Sequence, residues 1–166
     1  MQSRRQEDRA ALQILGATPR WLDFLDSQYG DSPSISAVAT ALSNVLGETA
    51  PAAVLYPAGL FHSDHVLVHK AILQICSSYP RMNWLMYEEA SYRRIAGLLQ
   101  CRLQALLNEG WQATPVSDIG KKGQGKRNAL EFYASQLRAL QAVVQGSYSD
   151  AFAAERYWAL QPSPAA

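Results

Sequence analysis

The chain has 166 residues, of which 48% are hydrophobic and 17% are charged, and its formal net charge at pH 7 is +1. These values are typical of one globular domain that can bury a core. The small net charge gives no general attraction to nucleic acid or to an anionic membrane, so we expect neither as a partner. The first ten residues are polar and charged, and no later apolar run approaches the length of a membrane span, which predicts a cytoplasmic location.

Helical and strand-like patterns alternate along the chain. The predicted helices cover residues 4–15, 34–46, 63–76, 92–107 and 127–144, and the predicted strands cover 21–25, 53–56, 83–87 and 112–116. This alternation favours an α/β fold, with a mostly parallel sheet covered by helices on both faces in three layers. We therefore predict a single domain over residues 1–160 and a disordered tail over residues 161–166.

All three histidines of the chain, His62, His65 and His69, lie directly after the predicted strand 53–56. Ligands of α/β sheets bind beyond the carboxyl ends of the strands, so this segment is a candidate site. In the first turn of a helix, His62 and His65 can face a common point while Asp64 orients one of the rings. The alternative is that these side chains only cap the helix and lie at the surface. For His69 a half-buried packing role is favoured over ligation.

A second candidate is the glycine-rich basic segment from Gly120 to Arg127. It is close to the phosphate-binding pattern GxxxxGK[ST], but Arg127 stands where a serine or threonine would hold magnesium. A nucleotide-binding function would require ATP or GTP to stabilise the chain against heat. The alternative is a solvated surface loop.

The segment from Pro57 to Val68 resembles the second signature of the PIG-L/LmbE family of zinc-dependent N-deacetylases, in which His-x-Asp-His precedes an apolar helix. Three other segments resemble the family in the same order along the chain. They are the Arg-x-x-Glu helix that begins at Arg4, the strand end at Phe24-Leu25-Asp26, and the acidic-aromatic segment 87–92. The resemblance covers nearly the whole chain, and the His-x-Asp-His segment is its specific part.

The resemblance implies a Rossmann-like fold that removes an acetyl group from an N-acetylated sugar or a related amide. It implies that His65 ligates Zn²⁺, that His62 stabilises the oxyanion or donates a proton, and that Asp64 orients a catalytic histidine. Arg4 and Asp26 match positions that contact the polar groups of the substrate. Zinc would lower the pKa of a bound water and polarise the carbonyl group. The oligomeric state stays open.

The chain departs from the family in one respect. The first family signature, His-Pro-Asp-Asp at the end of a strand, supplies two zinc ligands and the general base, and no histidine precedes His62. Because catalytic zinc normally needs three protein ligands, we expect an incomplete site and a sheet that lacks its first strand or strands. Two interpretations remain: an N-terminally truncated deacetylase that holds half of its site, or an inactive or partner-completed binding module of the same fold.

Overall fold

The computed structural model describes residues 2–25, 30, 32–117, 123–135, 137 and 150–164. The described elements are α1 (Gln2–Ile14), α2 (Ile35–Thr49), β1 (Ala53–Pro57), α3 (Ser63–Cys76), β2 (Asn83–Tyr87), α4 (Leu98–Asn108), β3 (Trp111–Val116), α5 (Gly123–Leu130) and β4 (Tyr157–Pro162). They belong to two compact units, one formed by residues 1–21 and 118–155 and the other by residues 22–117 and 156–166. The single domain expected over residues 1–160 stays a prediction.

The first unit contains α1 and α5, which pack against each other. Glu7 of α1 accepts hydrogen bonds from the backbone N–H and the hydroxyl of Ser135, at 3.0 and 2.6 Å. The guanidinium groups of Arg5 and Arg9 lie over the Trp21 ring, 5.3 and 4.9 Å from its centre. Polar and cation–π contacts therefore hold this unit together alongside its apolar packing.

The second unit is built on a four-stranded sheet in the order β1-β2-β4-β3. β1 and β2 are parallel, and β4 is antiparallel to both of its neighbours. The predicted α/β fold is confirmed, since β1, β2 and β3 all run in one direction. The parallel pairing holds for β1 and β2, whereas β4 adds two antiparallel pairings that the sequence did not predict.

The strand β4 corrects the predicted disordered tail, because Gln161 and Pro162 belong to it. The backbone N–H of Ser163 also donates to the Gly110 carbonyl at 2.8 Å. The proline-rich composition predicts disorder locally, but pairing with β3, which is distant in sequence, orders Gln161 and Pro162. Pro162 lies at the end of β4 and pairs only with Trp111 of β3, since the pairing of β4 with β2 stops at Leu160. Residues 165 and 166 lie outside the described part of the chain.

Three other predicted elements differ from the structure. Residues 21–25 form no strand, and Asp23 has a positive φ of 56° that extended pairing does not accommodate. α4 begins at Leu98 instead of residue 92, because residues 90–94 and 96–97 form turns that end at Gly97 with φ 86°. The helix predicted over 127–144 is α5, which ends at Leu130, and most of the remainder lies outside the described residues.

The core of the second unit lies around β1, β2 and the inner face of α3. Its largest fully buried apolar side chains are Tyr56, Met86, Ile72 and Leu106. α2 packs on α3 through small residues, and the Ser34 hydroxyl caps α2 by accepting from the Ala37 N–H at 3.1 Å. Within the described residues, no helix is long and apolar enough to cross a membrane.

Candidate active site

The carboxyl ends of β1 and β2 meet at one edge of the sheet. Because the two strands are parallel and in register, Pro57 lies opposite Tyr87, and the Ala58 N–H donates to the Tyr87 carbonyl at 2.9 Å. After β1 the chain turns at Gly59 and enters α3, whose N-cap is His62. After β2 the chain continues directly into Glu88 and Glu89. This topology brings the histidine segment and the acidic pair together.

Glu89 is the buried acid of this edge, with 5% of its surface exposed. Its Oε1 atom accepts hydrogen bonds from the Gly59 and Leu60 N–H groups at 2.8 and 3.0 Å. The same oxygen lies 3.3 Å from Nδ1 of His65. Burial acts to raise the pKa of Glu89, but the contact with His65 and the backbone N–H donors outweigh it and hold the pKa below its ordinary value. Glu89 is therefore ionised at neutral pH.

His65 faces Glu89 through Nδ1, which is buried and is close enough for an ion pair but poorly aligned for a hydrogen bond. An ionised carboxylate can only accept, so we assign the proton of the neutral ring to Nδ1. That assignment leaves a lone pair on Nε2. His65 is consequently able to bind a metal ion or to accept a proton through Nε2.

His62 has the opposite arrangement. As the N-cap of α3, it accepts the Asp64 backbone N–H through Nδ1 at 3.3 Å. A ring nitrogen that accepts carries no proton, so Nε2 of the neutral ring is the N–H donor. The centres of the His62 and His65 rings are 5.3 Å apart. The site therefore places the N–H donor of His62 next to the ring of His65, which carries the nitrogen lone pair.

The carboxylate of Asp64 does not bond to either ring at hydrogen-bonding distance, since its nearest approach is 4.0 Å from Nδ1 of His62. The backbone N–H of Asp64 holds His62 instead. The orienting role of Asp64 therefore stays a prediction, and Glu89 is the carboxylate that lies beside His65.

His69 is fully buried behind the site, where Nδ1 lies 3.1 Å from the Pro57 carbonyl and the ring centre is 5.7 Å from that of Tyr56. Loss of hydration, together with the nearby Arg102 charge, lowers the pKa of His69 to about 4. The neutral ring thus donates to Pro57 and fixes the turn that carries Gly59. His69 thus packs as expected, but it is fully buried where a half-buried position was predicted.

The depressed pKa of His69 predicts a loss of stability in acid. The ordinary pKa is 6.5 and the folded value is about 4, so the unfolded chain binds a proton first as the pH falls. The free energy of unfolding should therefore decrease by about 2–3 kcal/mol from pH 7 to the region just above pH 4.5. Urea titrations of the wild type and of His69→Asn, whose amide can still donate to Pro57, measure this dependence. If the free energy of unfolding of the variant fell with pH as steeply as that of the wild type, the acid sensitivity would belong to other groups.

Arg102 of α4 also binds the turn at Gly59. Its Nη2 donates to the Gly59 carbonyl at 2.6 Å, while the N–H of the same glycine donates to Glu89. The sequence did not single out Glu89 or Arg102 as site residues. The acidic pair directly after a predicted strand was a usable signal for Glu89, whereas one arginine on a helix gives none.

The donor atoms of this edge do not by themselves fit a catalytic zinc ion. Among the residues that the structure describes, no group of three or more His, Cys, Asp or Glu side chains converges on one point. His65 offers one nitrogen, and in the tautomer assigned to His62 the proton is on Nε2. A catalytic zinc normally needs three protein ligands, so His65 would require further ones.

Two further site residues were predicted, Arg4 and Asp26. Arg4 is an exposed residue of α1 in the first unit, and Asp26 lies outside the described residues, so both stay predictions. In the glycine-rich segment, Lys126 pairs with Glu155 and donates to the Ala153 carbonyl at 2.8 Å. The lysine that would contact a nucleotide phosphate is thus engaged within its own unit. Residues 120–122 of that segment are not described.

No protein-family model matches the chain, and no curated protein sequence matches it significantly. Solved structures do. The zinc-inhibited form of teicoplanin deacetylase has a TM-score of 0.76 at 21% identity, over 97% of this chain and 74% of that one. A deacetylase triple mutant of the teicoplanin biosynthetic pathway gives 0.74 at 23% identity, over 96% and 70% of the two chains. The A40926 pseudoaglycone deacetylase gives 0.73 at 23% identity, over 99% and 72%. The chain therefore has the α/β fold of these deacetylase structures.

Proposed function

We propose that the chain is a PIG-L/LmbE-type protein whose site acts on an N-acetylated sugar or a related amide, as part of a deacetylase. The observation that carries the proposal is the placement of His62 and His65 side by side at the carboxyl ends of β1 and β2, with their ring centres 5.3 Å apart and the Glu89 carboxylate 3.3 Å from Nδ1 of His65. The fold similarity to three deacetylase structures supports it. The chain would be a soluble cytoplasmic protein that takes a small-molecule substrate.

The two imidazoles match the needs of amide hydrolysis. Attack by water places negative charge on the carbonyl oxygen, and a fixed N–H donor stabilises that charge. Nε2 of His62 supplies that N–H donor. The Nε2 lone pair of His65 can take the proton of the attacking water, and the imidazolium so formed can pass it to the departing amine. The Glu89 carboxylate, 3.3 Å from Nδ1 of His65, favours the tautomer that carries the proton on Nδ1 and the lone pair on Nε2.

For zinc, the proposal extends only to His65, which would be one of the ligands of the ion. When bound in such enzymes, zinc activates a water and polarises the carbonyl. The described residues of this chain do not complete its coordination. Added ligands would have to come from residues beyond those described or from another molecule.

The incomplete donor set also favours a second candidate function. In this alternative the chain is an inactive or partner-completed binding module of the same fold, and the histidine pair binds the amide without cleaving it. Zinc affinity distinguishes the two, because a complete three-ligand site retains zinc through purification and a single imidazole does not.

The test is acetate release from N-acetylglucosamine by the purified full chain, with and without added zinc, together with the metal content of the protein as isolated. The deacetylase proposal predicts acetate release above the rate in buffer. A folded chain that retains no zinc and releases no acetate under either condition would overturn the proposal and leave the binding module.

A further inference from the structure

A cavity of about 380 Å³ lies at the amino end of β2, whereas the candidate active site lies at the carboxyl end of the same strand. Its volume is within the range of pockets that bind small molecules. From Asn83 to Tyr87 the strand advances four residues at about 3.3 Å each, so its two ends are roughly 13 Å apart. The cavity is therefore separate from the turn that carries the histidines, and none of its described lining residues belongs to that turn.

The cavity forms where the pairing of two strands ends. β2 pairs with β4 only as far as Trp84 and Leu160, whereas β4 stays paired with β3 to Pro162. The next residues of the two strands, Asn83 and Gln161, line the cavity instead of pairing with each other. The space between the start of β2 and the end of β4 is therefore left open by the register of the sheet.

Backbone hydrogen bonds fix the walls of the cavity on both sides. In the turn that follows α3, the Tyr79 N–H donates to the Cys76 carbonyl at 3.1 Å, and the Met82 N–H donates to the Tyr79 carbonyl at 3.0 Å. Beyond the end of β4, the Ser163 N–H donates to the Gly110 carbonyl at 2.8 Å. Because the walls are already ordered, a ligand that enters the cavity loses little affinity to the ordering of the protein.

Three large aromatic rings line this cavity, those of Tyr79, Trp84 and Trp111. Trp84 is only 5% exposed, and its ring centre lies 6.3 Å from that of Tyr79, with the planes inclined by 72°. Trp111 is half-buried at the start of β3. Rings held in this way offer flat apolar surface against which a planar ligand can pack.

The charge on the wall of the cavity comes from Arg81. Its side chain is exposed and also lines the cavity, so positive charge lies where the cavity meets solvent. None of the described lining residues is acidic, and Arg81 forms no ion pair with a described residue. A guanidinium group binds a carboxylate through two parallel hydrogen bonds. The cavity therefore favours an anionic ligand over a cationic one.

We propose that this cavity binds a small planar aromatic carboxylate. The ring of the ligand packs against Trp84 and Trp111, and its carboxylate pairs with Arg81 at the opening. The side-chain amides of Asn83 and Gln161 offer further donors to the same anion. The proposal does not rest on the proposed function, because it uses no residue of the candidate active site.

The experiment compares two probes by titration calorimetry with the full chain: 2-naphthoate and the uncharged 2-naphthamide, which has the same rings. The wild type should bind the carboxylate about tenfold more tightly than the amide, since a charge-assisted hydrogen bond is stronger than a neutral one. Arg81→Met should remove this preference and leave the affinity for the amide unchanged. Trp111→Leu should weaken the binding of both probes by a similar factor, because both lose the same ring contact.

Arg94→Met is the matched control, because Arg94 is also an exposed arginine but lies in the turns that follow the carboxyl end of β2. It should bind both probes as the wild type does. The proposal is overturned if neither probe binds at millimolar concentration, if the two bind equally, or if Arg81→Met keeps the preference for the carboxylate. Since binding is measured without turnover, this result is separate from acetate release: either test can fail while the other succeeds.

Discussion

Gly59→Ala should reduce the free energy of unfolding by about 3–5 kcal/mol. Gly59 has a φ of +68°, a left-handed conformation that an alanine adopts only with strain. An added Cβ would also lie 2.9 Å from Cβ of His69, 3.1 Å from Cα of Val66 and 3.2 Å from the His65 carbonyl oxygen. Two of these three atoms belong to the backbone of α3 and cannot rotate away. Urea denaturation of the purified variant gives the change.

Gly97→Ala separates strain from crowding. Gly97 also has a positive φ, +86°, but no atom lies within 4 Å of the position of an added Cβ. This variant should lose only about 1–2 kcal/mol, the cost of the backbone conformation alone. Equal losses in the two variants would mean that the turn at Gly59 yields to the methyl group, and that the close packing of Gly59 against α3 is not required.

The close packing at Gly59 also affects the candidate site. The N–H groups of Gly59 and Leu60 hold Glu89, and Glu89 faces His65. If the turn moved by a few tenths of an ångström, these hydrogen bonds would lengthen. Glu89 would then shift, and the contact that positions the His65 ring would weaken. The same glycine therefore links the stability of the fold to the orientation of the site.

Local signals predicted much of this fold. Ser34 opens α2 as expected, because an N-cap hydrogen bond spans only three residues. The strands β1, β2 and β3 are apolar runs bounded by turn residues, and they lie within one residue of their predicted limits. At α3 the cap is His62, whose ring nitrogen accepts the Asp64 N–H at 3.3 Å. The ring nitrogen of a histidine can accept the same hydrogen bond as a hydroxyl or a carboxylate.

Features that depend on distant partners were not predictable. β4 is a strand because it pairs with β2 and β3, and nothing in its own proline-containing sequence shows those partners. Glu89 reaches Gly59 across 30 residues of sequence. A single sequence indicates that both segments follow strands. It does not show that the two strands are adjacent and in register, which is what places the carboxylate against His65.

His62→Asn should lower kcat/KM for acetate release by about 10²–10³, the usual effect of removing one donor to the developing oxyanion. The asparagine side chain is shorter, so its amide does not reach the position of Nε2 and the N–H donor of the imidazole is lost. Asparagine is nevertheless among the preferred N-cap residues, so α3 should keep its first turn. Acetate release and urea denaturation, measured on the same preparation, give the two quantities.

His62→Ala provides the comparison that separates the cap from the chemistry. Alanine removes both the donor and the hydrogen bond from the Asp64 N–H, so it should lose the same activity as the asparagine variant and about 1 kcal/mol of stability in addition. If the asparagine variant kept nearly full activity while the alanine variant lost it, His62 would act only as the cap of α3. Loss of activity in both variants, with stability lost in one, would instead assign the N–H donor of the site to His62.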